Sequence, residues 1–98
     1  MYILTVAYGR PSDPARFDQY YTDTHRPLVA RIPGVQRFEV LKCGSLDDRA
    51  APYYAMAHLG FSSLGELQAA LESPQGQAAA ADLANFADGG ATLFTQHE

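Results

Sequence analysis

The run YILTVAY, residues 2–8, mixes β-branched, aromatic and aliphatic residues and stops at Gly9, which predicts a strand followed by a turn. Side chains alternate along a strand, so Tyr2, Leu4, Val6 and Tyr8 oppose Ile3, Thr5 and Ala7. Both sets are mainly apolar, and a sheet built on this strand needs cover on each of its faces. Few arrangements supply that cover in 98 residues, a length that suits one domain with one core and buries roughly two thirds of the extended chain's surface.

The remaining elements narrow the choice. SDPARFDQYYTDTH opens with Asp13 as an N-cap and Pro14 at the first helical position, and Phe17, Tyr20, Tyr21, Thr24 and Leu28 then share one helical side. Pro27 withholds a donor from the Asp23 carbonyl and disfavours helical geometry at Arg26, so the helix is expected to kink or end beside His25, with a short turn through RPLVARI. A Pro-Gly turn leads into an extended run from Val35 to Cys43. The loop GSLDDRAAP separates it from a third strand, YYAMAHLGF, and the two should form a hairpin. Ser63 and Glu66 stand at capping-box spacing ahead of Leu64, Leu67, Ala70 and Leu71, and Ser73 with Pro74 repeats the start signal before an alanine-rich helix. Gly89 and Gly90 break that helix, and ATLFTQHE closes the chain as a fourth strand.

The order is β-α-β-β-α-β with the second helix in two pieces: an α+β chain on the ferredoxin-like split βαβ plan, a single domain over residues 1–98. Both helices cover one face of an antiparallel four-stranded sheet. The other face, read as mostly apolar, would be covered by a second copy, so a homodimer formed through the sheets is expected.

The hydrophobic fraction of 47% excludes a disordered chain, and the net charge is -4. The seven Lys and Arg residues are scattered from Arg10 to Arg49 without a cluster to neutralise phosphates, so nucleic acid is not an expected partner. No apolar run approaches the length of a membrane span, and MYILTVAYGR has neither a charged leader nor a small-residue cleavage site; a soluble cytoplasmic protein without a membrane partner is expected. Cys43 is alone and reads as a small hydrophobe on a strand. The dinucleotide, phosphate-loop and nucleophile-elbow glycine motifs are all missing, which leaves nicotinamide, nucleoside triphosphate and serine-hydrolase chemistry without support.

His25 is the leading candidate for chemistry. An imidazole titrates near neutrality and serves as acid or base, and a helix end facing a sheet aims it into a cleft. As a cation it would equally cap the carbonyls freed by Pro27 and complement the helix dipole. Tyr21, four residues earlier, meets it on one helical face, where the phenol orients a ligand oxygen or holds the ring. Tyr20, Tyr8, Phe38, Tyr54 and Phe94 are read as the lining of an apolar ligand pocket, a role that competes with plain core packing. His58 joins that pocket, with a hydrogen-bonded structural role as its alternative, and His97 is expected in solvent. The three histidines lack metal-ligand spacing, so no metal site is expected.

Through FDQYYTDTHRPLVARIPGVQRFEV and SPQGQAAAADLANFAD the sequence resembles the EthD family, small proteins named for a role in bacterial degradation of ethyl tert-butyl ether. The resemblance covers almost the whole chain. Its most specific parts are the aromatic pair followed by His-x-Pro-Leu, the Pro-Gly, and the Ser-Pro helix ending Asp-Leu-Ala-Asn-Phe. It implies an EthD-like domain in a dimeric α+β barrel, in a superfamily that binds small organic ligands between sheet and helices, and it sets His25 at the family's matching histidine. Some relatives of that architecture are cofactor-free monooxygenases, isomerases or polyketide-tailoring enzymes, others degrade haem, and the family is often labelled oxidoreductase. The expectation is a small-molecule enzyme, a cofactor-independent oxidoreductase, monooxygenase or isomerase type, with His25 as the acid/base and Tyr21 its neighbour. The alternative is a non-catalytic ligand-binding protein or an accessory protein of an oxygenase pathway. No cofactor is predicted; haem stays open, since one histidine holds it elsewhere in the superfamily.

Overall fold

Strand β1 (Tyr2–Tyr8) lies inside a four-stranded sheet of order β2-β3-β1-β4 in the computed structural model, which describes residues 1–98. Its neighbours β3 (Ala55–Phe61) and β4 (Ala91–His97) both run antiparallel to it, and β2 (Arg37–Lys42) pairs antiparallel with β3 as the expected hairpin. This is the α+β, ferredoxin-like arrangement read from the sequence. The register puts Leu4 opposite Leu59, Val6 opposite Ala57 and Tyr8 opposite Ala55, all on the face covered by helices. Phe61 and Leu67 are each 1% exposed there, and burial of a side chain of that size stabilises by roughly 1.5–3 kcal/mol.

At Pro27 the helix shows neither the end nor the short turn that stand as alternatives to a kink in the expectation. The chain does not end or turn beside His25: α1 (Pro14–Tyr20) passes into a π-helical turn (Tyr21–His25) and then α2 (Arg26–Ala30), with right-handed helical backbone at each junction. The Arg26 N–H reaches back to the Tyr21 carbonyl, five residues earlier. A proline ring collides with the carbonyl four residues before it in a regular α-helix, and the wider turn gives Pro27 room without stopping the helix. Pro27 then occupies the first turn of α2, where its missing N–H is not needed. The chain reverses at Gly34, whose φ of 84° lies in the left-handed region.

The caps lie where the sequence puts them. Asp13 accepts from the Arg16 N–H at 3.1 Å and Ser63 from the Glu66 N–H at 3.1 Å, opening α1 and α3 (Leu64–Glu72). Ser73 ends α3 and begins α4 (Pro74–Phe86): its N–H donates to Ala69, its hydroxyl donates to Ala70 at 2.6 Å, and the same oxygen accepts from the Gly76 N–H at 3.0 Å. No helix is long and apolar enough to cross a membrane.

The far face of the sheet also departs from expectation. Alternation places Ile3, Thr5 and Ala7 there beside Met56 and His58 of β3, Leu41 of β2, and Thr92, Phe94 and Gln96 of β4. This face is mixed, not mostly apolar, because β2, β3 and β4 each turn polar side chains to it, Arg37 and Glu39 coming from β2. Thr5 donates to Gln96 Oε1 at 2.5 Å, and with its one proton so used it accepts from His58 Nδ1 at 3.2 Å.

Candidate functional site

Tyr21 begins the π-helical turn and His25 ends it; both are buried, while Thr22, Asp23 and Thr24 between them are exposed. Their ring centroids are 5.1 Å apart. Tyr8, at the end of β1, meets the Tyr21 ring edge-on at 5.8 Å. From α4, Phe86 packs 4.6 Å from the imidazole, and Asp82, one turn earlier, presents its carboxylate to it. Such wide turns concentrate at functional sites.

The Asp82 carboxylate is shared among three donors: His25 Nδ1 at 2.9 Å on Oδ2, and the Tyr20 hydroxyl at 2.7 Å with the Asn85 amide at 2.9 Å on Oδ1. His25 is 4% exposed and Asp82 7%, so these bonds stand in for hydration. Burial by itself would raise the Asp82 carboxyl, but the hydrogen bonds from Tyr20, Asn85 and His25 outweigh it and hold it below the usual carboxylate range. Burial among aromatic rings holds the His25 imidazole below its ordinary value, against the upward pull of Asp82. A neutral ring facing an ionised carboxylate carries its proton on Nδ1 and leaves Nε2 with a free lone pair. That is the state of an oriented base.

His25, Tyr8 and Tyr21 border a cavity of about 40 Å³ whose remaining walls are almost all apolar, Val29, Ile32 and Leu83 among them. The Tyr21 hydroxyl is buried without a hydrogen-bond partner. Burial pushes its pKa up to about 12 and that of Tyr8 higher still, so both phenols are protonated donors at neutral pH. A larger trough of about 530 Å³ lies on the far face of the sheet, bordered by Ile3, Arg37, Glu39, His58 and Gln96. His25, held by Asp82 behind it, and the unpartnered phenol both border the smaller cavity, which is therefore the candidate site.

The structure brings His25, Tyr21 and Tyr8 together and separates the other residues read from the sequence. His58 and Phe94 lie on the far face of the sheet, opposite Thr5 in the register, and cannot share a pocket with them. Strand parity decides this, since each sits an odd step from the residues that face the helices. Phe38 lies under the Arg26 guanidinium at 5.2 Å. Tyr54 packs 5.4 Å from Phe17, donates to Asp18 at 2.8 Å and accepts from Lys42 at 3.1 Å; neither it nor Phe38 borders the cavity. Tyr20 holds Asp82 from outside the cavity. Nor does His25 cap freed carbonyls, because Pro27 does not end the helix and Nδ1 is taken by Asp82. The residue that sequence reasoning missed is Asp82. Its signal was a lone carboxylate in the run AAAADLANF, one turn before Phe86, inside a segment already singled out. No group of three His, Cys, Asp or Glu side chains is arranged to hold a metal.

Comparison with known proteins gives concordant matches. The EthD domain matches residues 10–90. An uncharacterized 11.0 kDa protein of the thcB-thcC intergenic region of Rhodococcus erythropolis is 52% identical over 99 residues, covering 100% of this chain and 96% of the relative. The crystal structure of an ethyl tert-butyl ether degradation (EthD) family protein from Bacillus halodurans superposes with a TM-score of 0.92 at 30% identity, covering 100% of this chain and 98% of that one. At 14% identity, where likeness shows the fold alone, a dimeric ferredoxin-like protein of unknown function from Jannaschia sp. CCS1 superposes with a TM-score of 0.72, covering 100% of each chain.

Proposed function

Because the chain belongs to the EthD family and buries an Asp82–His25 pair beside an apolar cavity, we propose that it is a small-molecule enzyme in which His25 moves a proton. The pair carries this reading. Asp82 fixes the imidazole in the Nδ1–H form, Nε2 accepts a proton from the bound molecule, and the carboxylate stabilises the imidazolium that results. Return of the proton at another position is isomerase-type chemistry; the oxidoreductase or monooxygenase type requires dioxygen as oxidant of the deprotonated substrate. A porphyrin does not suit the site, since the cavity is about 40 Å³. Support for a two-fold dimer through the far sheet face comes from exposed Leu41 and Phe94 there and from the dimeric relative of like fold.

The test is hydrogen exchange in D2O with a panel of small ketones and phenols, followed by proton NMR. Wild type is expected to deuterate at least one compound at an acidic C–H position, and His25→Gln and Asp82→Asn to slow this by about a hundredfold or more with circular dichroism unchanged. Undiminished exchange in His25→Gln overturns the assignment. Lack of exchange by wild type across the panel favours a binding or accessory protein. That second reading draws on one observation, that the Rhodococcus relative is encoded between two thc genes, a position suited to a protein serving its neighbours' products.

A further inference from the structure

The Tyr21 hydroxyl is the one buried side-chain polar atom in this protein without a hydrogen-bond partner. Tyr21 is 5% exposed, so bulk water does not reach it, and an orphaned buried hydroxyl destabilises a folded chain. Phenylalanine would pack in the same space without that cost. The Tyr8 hydroxyl lies near enough to act on this phenol as a hydrogen-bonding neighbour, donating toward it, but the contact falls short of ordinary hydrogen-bond geometry and leaves the Tyr21 proton without an acceptor. The hydroxyl belongs to a side chain on the cavity wall, beside His25, where the acceptor would be an oxygen held in the cavity, a water in the free protein and a ligand atom that displaces it on binding.

The charges around the cavity restrict that molecule further. No Lys or Arg borders it, and the one ionised group next to it is the Asp82 carboxylate behind His25. Arg26, the cation felt by Tyr21, is exposed and rests over Phe38 outside the cavity. An anion entering would lose hydration without gaining a countercharge. The volume of about 40 Å³ admits a polar head of a few atoms, not a whole metabolite. Leu71 and Leu93, also on the cavity wall, are 37% and 44% exposed, so an apolar body attached to that head would lie against them at the mouth.

We propose that the cavity selects an uncharged organic molecule by one carbonyl-type oxygen, which accepts a hydrogen bond from the Tyr21 hydroxyl, and that it rejects carboxylates and phosphates. This rests on the reading of the cavity as the ligand site, but not on proton transfer by His25.

Three probes of nearly equal shape test it in binding titrations followed by NMR: acetophenone with the oxygen acceptor, isopropylbenzene without it, and benzoate with a charge. Acetophenone should bind wild type and shift the resonances of Tyr21 and His25. Tyr21→Phe should weaken acetophenone by about fivefold to tenfold, as for one hydrogen bond, while leaving isopropylbenzene unchanged. Its melting temperature should hold or rise, because no internal partner is lost; a drop would mark a structural hydroxyl and overturn the proposal. So would benzoate binding as tightly as acetophenone, an unchanged acetophenone affinity in Tyr21→Phe, or no acetophenone-induced shift at the cavity residues. None of these readouts uses turnover, so failure of the proton-transfer reading, seen in the His25→Gln exchange experiment, is distinguished from failure here.

Discussion

A single carboxylate organises the candidate site. Asp82 joins α4 to the π-helical turn through His25 and to α1 through Tyr20, and so holds the imidazole and its orienting bonds in one network. Both ionisable members of the pair are shifted downward, His25 chiefly by burial and Asp82 by its donors outweighing burial. The native state thus binds fewer protons than the unfolded chain below either ordinary value, and stability rises with pH there. On acidification the loss from His25 starts below about pH 6.5 and that from Asp82 below about pH 3.9. The unfolding free energy of wild type, from urea titrations, is expected to fall from pH 7 to pH 5 by up to about 1.4 kcal/mol per pH unit more than that of His25→Gln. Parallel curves for the two proteins would show that His25 is not the group responsible. At this scale the sequence was partly legible. His25 and Tyr21 stood out by residue type and spacing, whereas their partner is 57 positions away from His25 and no local pattern links them.

At the scale of elements, two features exceed what propensity predicts. One is the helix that continues past Pro27 by widening at Tyr21–His25, which also keeps Tyr21 and His25 on the buried side. The other is the junction of α3 and α4 at Ser73, where a Cβ added to Gly76 would stand 2.0 Å from the Ala70 carbonyl oxygen and 3.1 Å from the Leu71 Cα. Alanine is the better helix former by roughly 1 kcal/mol, so propensity alone favours Gly76→Ala. The contact reverses the sign: the variant is expected to lose about 2 kcal/mol or more, as for an overpacked core site, while Gly65→Ala in α3, which meets only the Ser63 hydroxyl at 3.8 Å, gains about 0.5 kcal/mol. Chemical denaturation of both variants checks this, and a stabilised Gly76→Ala would mean that the helices separate easily at their junction. The caps at Asp13, Ser63 and Ser73 were readable in advance because capping is a contact within four residues. The close approach at Gly76 was not, since it depends on how two helices cross.

For the whole molecule, the proposed dimer rests on a sheet face that is neither core nor ordinary surface. Leu41 at 55% and Phe94 at 39% exposure flank the buried Thr5 and its bonds to His58 and Gln96. A second copy would cover the apolar pair and meet Thr5, His58 and Gln96, already linked through Thr5, together with the charged Arg37 and Glu39. Sedimentation analysis at micromolar concentration should give the mass of two chains, and Leu41→Asp combined with Phe94→Asp should give one, with the far-ultraviolet spectrum kept. A wild-type monomer would reject the dimer.

The sequence by itself determined the order of the four strands, where the main helices start, and the family to which the chain belongs, because periodicity, caps and breakers act over a few residues and the EthD pattern is written in them. Only the tertiary structure decided which face each strand residue serves, that His58 and Phe94 lie away from His25, and that Asp82 lies beneath it. Those outcomes depend on strand register and on the approach of α4 to the π-helical turn, which are set by packing between residues far apart in the chain.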